Sequence, residues 1–306
     1  MYKINNFDDW FEDETSGKFG SGASEKIWLM EPLTNRTGLF KYPKVKDKEK
    51  NIITGEFWAE KLASELAKIL GIKCNDVDIG YYKGRIGTMS YNLIDGVKVL
   101  TEGVVFIEKK YPNYNKDKLL DEDSGKKYSL QMIKDCLPEY FKSILSMILF
   151  DALIGNSDRH HSNWGIVYGL DGNENEIYDY FSPLYDNGSS LCAYVNEEDI
   201  DKLFKDKMMY NALLDTKSKS AIGWNEKRPI RHFELIKNIK NNYYNETVDY
   251  VKNIKNKITR KKVIEILNNF TDDIISKKMK DLLLKFILDR RNKILEIYNM
   301  EDINDE

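Results

Sequence analysis

An apolar run, Ile144 to Ile154, stops at Gly155 and gives way to the polar loop Asn156-Ser157-Asp158-Arg159-His160-His161-Ser162-Asn163-Trp164-Gly165. The run carries Asp151 and is too short to span a bilayer, so it reads as the end of a core helix covering Leu130 to Ile154. The loop it delivers sets a carboxylate, Asp158, and a carboxamide, Asn163, five residues apart. Strand-like residues follow (Trp164-Gly165-Ile166-Val167 and Ile177-Tyr178), and after them a second polar segment, Tyr185-Asp186-Asn187-Gly188.

Either segment alone reads as a turn, because Asn, Ser and Asp side chains bond their own backbone and Asn-Gly is a common hairpin turn. Arg159, His160 and Trp164 are costly residues for an idle turn, however, and the two segments stand in a meaningful order. Phosphoryl transfer on a kinase-type fold requires an Asp near the acceptor hydroxyl, an Asn five residues later on a metal, and a second metal-binding Asp after the next strands. Asp158 is thereby assigned to the acceptor proton, and Asn163 and Asp186 to Mg²⁺, a hard cation suited to oxygen ligands. His160 is placed to fix the loop by a hydrogen bond, and Arg159 to pair with a carboxylate or a phosphoryl group. A zinc hydrolase built on His160, Asp158 and Asp186 is a thin alternative in a chain with 3 histidines.

A chain of 306 residues suits one bilobed domain or two small ones, and 42% hydrophobic with 32% charged residues is ordinary for a globular protein. The net charge of -3 gives no basic field for nucleic acid. The first residues lack a signal peptide's basic and apolar regions, and Cys74, Cys136 and Cys192 imply neither a disulfide framework nor a zinc site. These features predict a cytoplasmic protein without a membrane span.

The expected organisation is α+β: a bilobed protein-kinase-like fold with a small β-rich N-lobe over 1–100 and a mainly helical C-lobe over 101–306. Lys26 to Met30 and Gly38 to Tyr42 read as strands, as do Val77 to Tyr82 and Arg85 to Tyr91 around a Lys83-Gly84 turn. Between them lies a helix with Thr54 as N-cap, Gly71 as C′ residue and an apolar face formed by Trp58, Leu62, Leu66 and Leu70. Glu108 to Lys127 is charged and turn-rich and reads as an exposed insertion. Lys261 to Asn268 and Asp272 to Tyr298 read as core helices of the second lobe.

Four further parts of a nucleotide site stand in the first lobe. The small-residue run Gly20-Ser21-Gly22-Ala23-Ser24 lets backbone N–H groups approach phosphates, although such runs are often plain flexible loops and this one is not a Walker A loop. Lys41 is placed to reach the α- and β-phosphates. Glu56 is chosen to hold its ammonium, because it borders the apolar helix face while Glu60 lies farther toward solvent. Tyr91, Asn92 and Leu93 begin the hinge that would meet adenine with backbone groups.

Asp158-x-His160-x-x-Asn163, Tyr185-Asp186 and Gly22-Ala23-Ser24-Glu25-Lys26 together resemble the HipA-like bacterial serine/threonine kinases. The Asp-Arg-His-His-Ser-Asn-Trp-Gly form looks closest to the short CtkA-type members. The resemblance spans roughly residues 16–230 and is most specific from Gly155 to Gly165. It implies an ATP- and Mg²⁺-dependent kinase, with the catalytic role on Asp158, metal roles on Asn163 and Asp186, and phosphate clamping on Lys41. It also implies autophosphorylation of a serine in the glycine-rich loop, with Ser21 and Ser24 as candidates, and a toxin setting with a cognate antitoxin or other regulatory protein. The chain departs from full-length HipA in lacking its additional N-terminal region. A phosphatidylinositol-type lipid kinase is the alternative enzyme, but the basic residues after Asp186 are interleaved with acids. An inactive binding module would not need every polar part of the transfer machinery.

Overall fold

The computed structural model describes residues 1–13, 25–47, 49, 52–94, 98–170 and 177–300. Its N-terminal part contains β1 (Asn5–Asn6), β2 (Phe11–Glu12), β3 (Lys26–Met30), β4 (Thr37–Lys41), the hairpin β5 (Val45–Asp47) and β6 (Ile52–Ile53), helix α1 (Glu56–Leu70), β7 (Val77–Tyr82) and β8 (Arg85–Tyr91). Apart from the β5–β6 hairpin, the strands form a curled six-stranded sheet in the order β1-β7-β8-β4-β3-β2, antiparallel except where β1 meets β7.

Side chains alternate across this sheet because successive residues of a strand face opposite ways. In β4, Phe40 packs with Phe7, Leu29, Tyr82 and Met89 in a small core on one face. Leu39 and Lys41 consequently face the other way, into a cleft.

The chain continues through β9 (Val99–Glu102), α2 (Gly103–Lys110), the hairpin β10 (Tyr114–Asn115) and β11 (Leu120–Asp121), α3 (Leu130–Cys136), α4 (Phe141–Ile154), β12 (Gly165–Leu170) and β13 (Ile177–Phe181). Strands β13, β12 and β9 form a second sheet in that order. Next come α5 (Ile200–Lys205), α6 (Lys207–Asn211), the hairpin β14 (Lys219–Ser220) and β15 (Ile230–Arg231), α7 (His232–Asn242), α8 (Tyr244–Lys257), α9 (Arg260–Leu267) and α10 (Lys277–Ile297). The fold is α+β, with the curled sheet first and a mainly helical part after it. Helix α4 is buried among α7, α8 and α10, which is why its sequence is apolar all round.

Four expectations are corrected. The helix foreseen over Leu130 to Ile154 is two helices, because Pro138 has no N–H to extend α3 and forces Leu137 out of helical geometry. Thr54 is not the N-cap of α1: Gly55 holds that position, and the Thr54 hydroxyl donates to Glu56 Oε2 at 2.5 Å. Glu108 to Lys127 is exposed over much of its length but not throughout: Tyr111, Tyr114 and Asp121 are buried, and Tyr114 OH meets His161 Nδ1 at 3.0 Å. Helix α10 starts at Lys277 rather than Asp272, where Ser276 Oγ accepts the Met279 N–H at 3.1 Å. Gly71 ends α1 as expected, in the left-handed region at φ 72°.

Candidate active site

Gly155 lets the chain leave α4 at φ 71°, and a Cβ there would stand 3.0 Å from the Phe286 ring. Asn156 follows, fully buried. Its Nδ2 donates to Asp151 Oδ1 (3.1 Å), and its Oδ1 accepts the Asp158 N–H (3.0 Å). Arg159, 1% exposed, then satisfies the charge that a core helix would otherwise not tolerate: Nε and Nη2 donate to the two Asp151 oxygens at 3.0 and 2.8 Å. Its Nη1 donates to the carbonyls of Asn163 (2.8 Å) and Tyr185 (2.7 Å), and Nη2 also reaches Asn187 Oδ1 (2.5 Å). Burial alone would lower the guanidinium's pKa, but the Asp151 charge outweighs it and holds Arg159 above its usual value. One side chain therefore joins α4, the Asp158–Asn163 loop and the Asp186 segment.

The Asp158 carbonyl accepts from His160 N–H (2.8 Å) and Asn163 Nδ2 (2.7 Å), while His160 Nδ1 accepts the Ser162 N–H (3.2 Å). His160 Nδ1 thus closes a hydrogen bond within the loop. The Asp158 carboxylate makes no hydrogen bond among the described residues and opens into a cavity of about 1510 Å³ that also exposes Ser157 and His160. Partial burial pushes its carboxyl above the usual range; Asp186 adds to this and His160 opposes it. Trp164, fully buried, donates from Nε1 to Tyr128 OH (2.7 Å), which donates to the Arg159 carbonyl (3.2 Å).

A neighbouring cleft of about 830 Å³ is lined by Trp28, Leu39 and Leu100 on its apolar side and by Lys41, Asn163 and Asp186 on its polar side. Tyr91, Asn92 and Leu93 line it as well, and Ser162 borders both cavities. Asp186 sits at φ 56° and accepts from Lys41 Nζ at 2.9 Å. Burial would raise the Asp186 carboxyl, but Lys41 and Arg159 hold it below its usual range. Burial would likewise lower Lys41, yet Asp186 and then Glu60 keep it above its usual value. Gly20, Ser21, Gly22, Ala23 and Ser24 lie outside the described residues.

Glu56 is not the carboxylate that holds Lys41. It is taken by Lys44 (3.2 Å), the Lys44 N–H (3.2 Å), Thr54 and Tyr194 OH (2.7 Å). Glu60, 3% exposed, acts on Lys41 more strongly and accepts the Asn187 backbone N–H; its burial raises its carboxyl. The expectation that Glu60 lies toward solvent fails because the 186–188 segment covers it: the Asn187 backbone N–H and Nδ2 reach its carboxylate, and Gly188 packs against it. Asp151, Asn156 and Asn187 are further site residues that sequence reasoning missed. An aspartate inside an apolar run was the available signal, since it demanded a buried cation.

Among the described residues no group of three or more His, Cys, Asp and Glu can hold a metal ion, so His160, Asp158 and Asp186 do not form a zinc centre. Asn163 and Asp186 instead offer two oxygen donors on one cleft. The Asn163 NH₂ is tied to the loop, which leaves its Oδ1 for a ligand. That donor set fits Mg²⁺, which keeps waters and phosphate oxygens in its shell.

No family model matches the chain. The serine/threonine-protein kinase CtkA of Helicobacter pylori J99 is 24% identical over 290 residues, covering 91% of this chain and 83% of that protein. The crystal structure of the Helicobacter pylori proinflammatory kinase CtkA matches with a TM-score of 0.79 and 21% identity, covering 96% of both chains. HipA of Shewanella oneidensis MR-1, solved with HipB and operator DNA, matches at 0.57 and 15%, covering 92% of this chain and 67% of that one. The chain resembles HipA-like kinases of the CtkA type and shares their fold.

Proposed function

We propose that this chain, a relative of CtkA with the same fold, is an ATP- and Mg²⁺-dependent serine/threonine protein kinase. The observation that carries the reading is the placement of Asp158: its carboxylate, unpaired among the described residues, faces one cavity, while Asn163, Asp186 and Lys41 face the adjoining cleft across Ser162. Nucleotide and acceptor would meet at that boundary.

In this reading Trp28, Leu39 and Leu100 take the adenine, and the 91–93 segment supplies hinge backbone groups. Asn163 and Asp186 would hold Mg²⁺, which supplies charge neutralisation on the phosphates when bound. Lys41 clamps the α- and β-phosphates, with Glu60 holding its ammonium, and Gly20 to Ser24 cover the triphosphate. The acceptor hydroxyl forms a bond to the γ-phosphorus as the bridging bond to the β-phosphate breaks and ADP leaves. Asp158 takes the hydroxyl proton. The division into lobes at 1–100 and 101–306 and a cytoplasmic location belong to the same proposal. Among the described residues, no helix is long and apolar enough to cross a membrane.

Autophosphorylation at Ser21 or Ser24 would add about -1.5 to -2 charges beside the triphosphate and limit further turnover. A regulatory protein partner is proposed by analogy with HipA, which was solved with HipB. Incubation with labelled ATP and Mg²⁺, alone and with protein acceptors, followed by mass spectrometry of labelled peptides, tests the reading. Nucleotide binding without transfer to any hydroxyl would overturn it in favour of an inactive module.

A further inference from the structure

Between Lys202 and Arg231 basic and acidic residues alternate in sequence, and the fold sorts them. Lys202 pairs with Asp199 (3.1 Å), Arg231 with Asp215 (3.6 Å) and Lys227 with Glu234. Asp201 is taken by Lys278 (2.6 Å), and Asp206 caps α6. Lys217, Lys219 and Arg228 have no ion-pair partner among the described residues, and all three line the cavity into which Asp158 opens. Arg228 is half-buried. Its Nε donates to the Ala221 carbonyl (2.8 Å), no carboxylate meets the guanidinium, and desolvation lowers its pKa.

The cavity's other charges come from a different part of the chain. Glu102, Lys116 and Asp117 lie on the 102–119 segment, and Lys116 is paired with Glu108 (2.8 Å). The 217–229 segment contributes three cations and no carboxylate. A second cavity of about 1080 Å³ meets the first at Ser157 and Lys217 and is lined by Tyr194, Leu203, Met209 and Leu213. The two together make a trough past Asp158, cationic along one stretch and largely apolar along the next. Such a trough suits an extended chain better than a headgroup entering from one side.

We infer that the acceptor is a serine or threonine in an extended peptide, with acidic side chains on one flank of the hydroxyl and an apolar side chain on the other. The inference rests on the kinase reading above and names its substrate class. Steady-state kinetics test it with peptides that share the acceptor and differ only in an acidic, neutral or basic flank, alongside phosphoinositide vesicles and a generic protein acceptor. The acidic flank should raise kcat/KM about tenfold over the neutral one, as expected for two or three exposed charge pairs. Lys217 and Lys219 are exposed, so Lys217→Ala with Lys219→Ala should fold and bind Mg²⁺-ATP while the preference falls toward unity. Lys217→Glu with Lys219→Glu should turn it toward basic flanks. Equal use of acidic and neutral peptides would overturn the inference and leave the kinase reading standing. Transfer to vesicles but to no peptide would overturn it in favour of a phosphoinositide headgroup. Absence of transfer to every acceptor, the generic protein included, would remove both.

Discussion

Glu56 and Glu60 sit one turn apart on α1 and meet different cations, the reverse of the assignment that the helical wheel suggested. Glu56 anchors Lys44 and Tyr194 at the rim of the site, whereas Glu60 is buried where Lys41, Asp186 and Asn187 converge. Glu60→Ala should lower kcat/KM on the order of 10²-fold, because Lys41 would lose the buried carboxylate whose charge, after that of Asp186, acts on it most. Glu56→Ala should cost much less. Steady-state kinetics of both variants decide between them, and the opposite ranking would restore Glu56 as the partner. At Asp158 the expectation concerns chemistry alone. Its carboxylate bonds nothing among the described residues, so Asp158→Ala should reduce transfer by about 10²-fold or more while calorimetry shows Mg²⁺-ATP binding unchanged. Loss of nucleotide affinity in that variant would place Asp158 on the nucleotide side instead.

At the scale of elements, the site depends on how α4, the catalytic-type loop and the Asp186 segment are joined. The Asp151–Arg159 pair is almost fully buried, with side-chain exposures of 3% and 1%. Removing one partner leaves an uncompensated charge in the core, so Asp151→Asn or Arg159→Met should destabilise the protein by about 3–5 kcal/mol. Transfer should fall with it, since the carbonyls of Asn163 and Tyr185 lose their common donor. Denaturant titration and kinetics on the same samples test this; a variant with normal stability and normal turnover would remove Arg159 from the scaffold. This network also marks where sequence reading stopped. The β3–β4 and β7–β8 pairs, the Gly71 stop and the order of loop, strands and Asp186 were legible because local chemistry fixes them: alternation, turn glycines, an apolar run ended by glycine. Glu60's burial was not, since it depends on Asn187 and Gly188 closing over α1 from 127 residues away in the chain. The pairings of Lys202, Lys227 and Arg231 were hidden for the same reason, so their charges looked diluted when Lys217, Lys219 and Arg228 have no ion-pair partner among the described residues.

Across the whole molecule, protonation of buried histidines sets how stability varies with pH. His232 lies 1% exposed at the start of α7; burial, and after it the nearby Arg290 cation, holds its ring well below the ordinary histidine range. His161 is pushed down to about 4, chiefly by burial. In the unfolded chain both would titrate near about 6.5. Below that value the unfolded state therefore binds protons that the native state refuses, and stability falls as pH falls; it is fully present only above the unfolded pKa. For His232 the slope should approach about 1.4 kcal/mol per pH unit once pH lies well below the unfolded value. Carboxyls held low, such as Asp186 and Glu56, lose their contribution only at lower pH, while Glu60, Asp151 and Asp158, held high, act in the opposite sense. The informative quantity is therefore the difference between wild type and His232→Leu, in which the carboxyl contributions cancel. Denaturant midpoints at pH 7.5, 6.5 and 5.5 should show wild type losing stability faster than the variant as the solution is acidified. Parallel pH dependences would mean that His232 takes up its proton as readily in the folded protein as in the unfolded one.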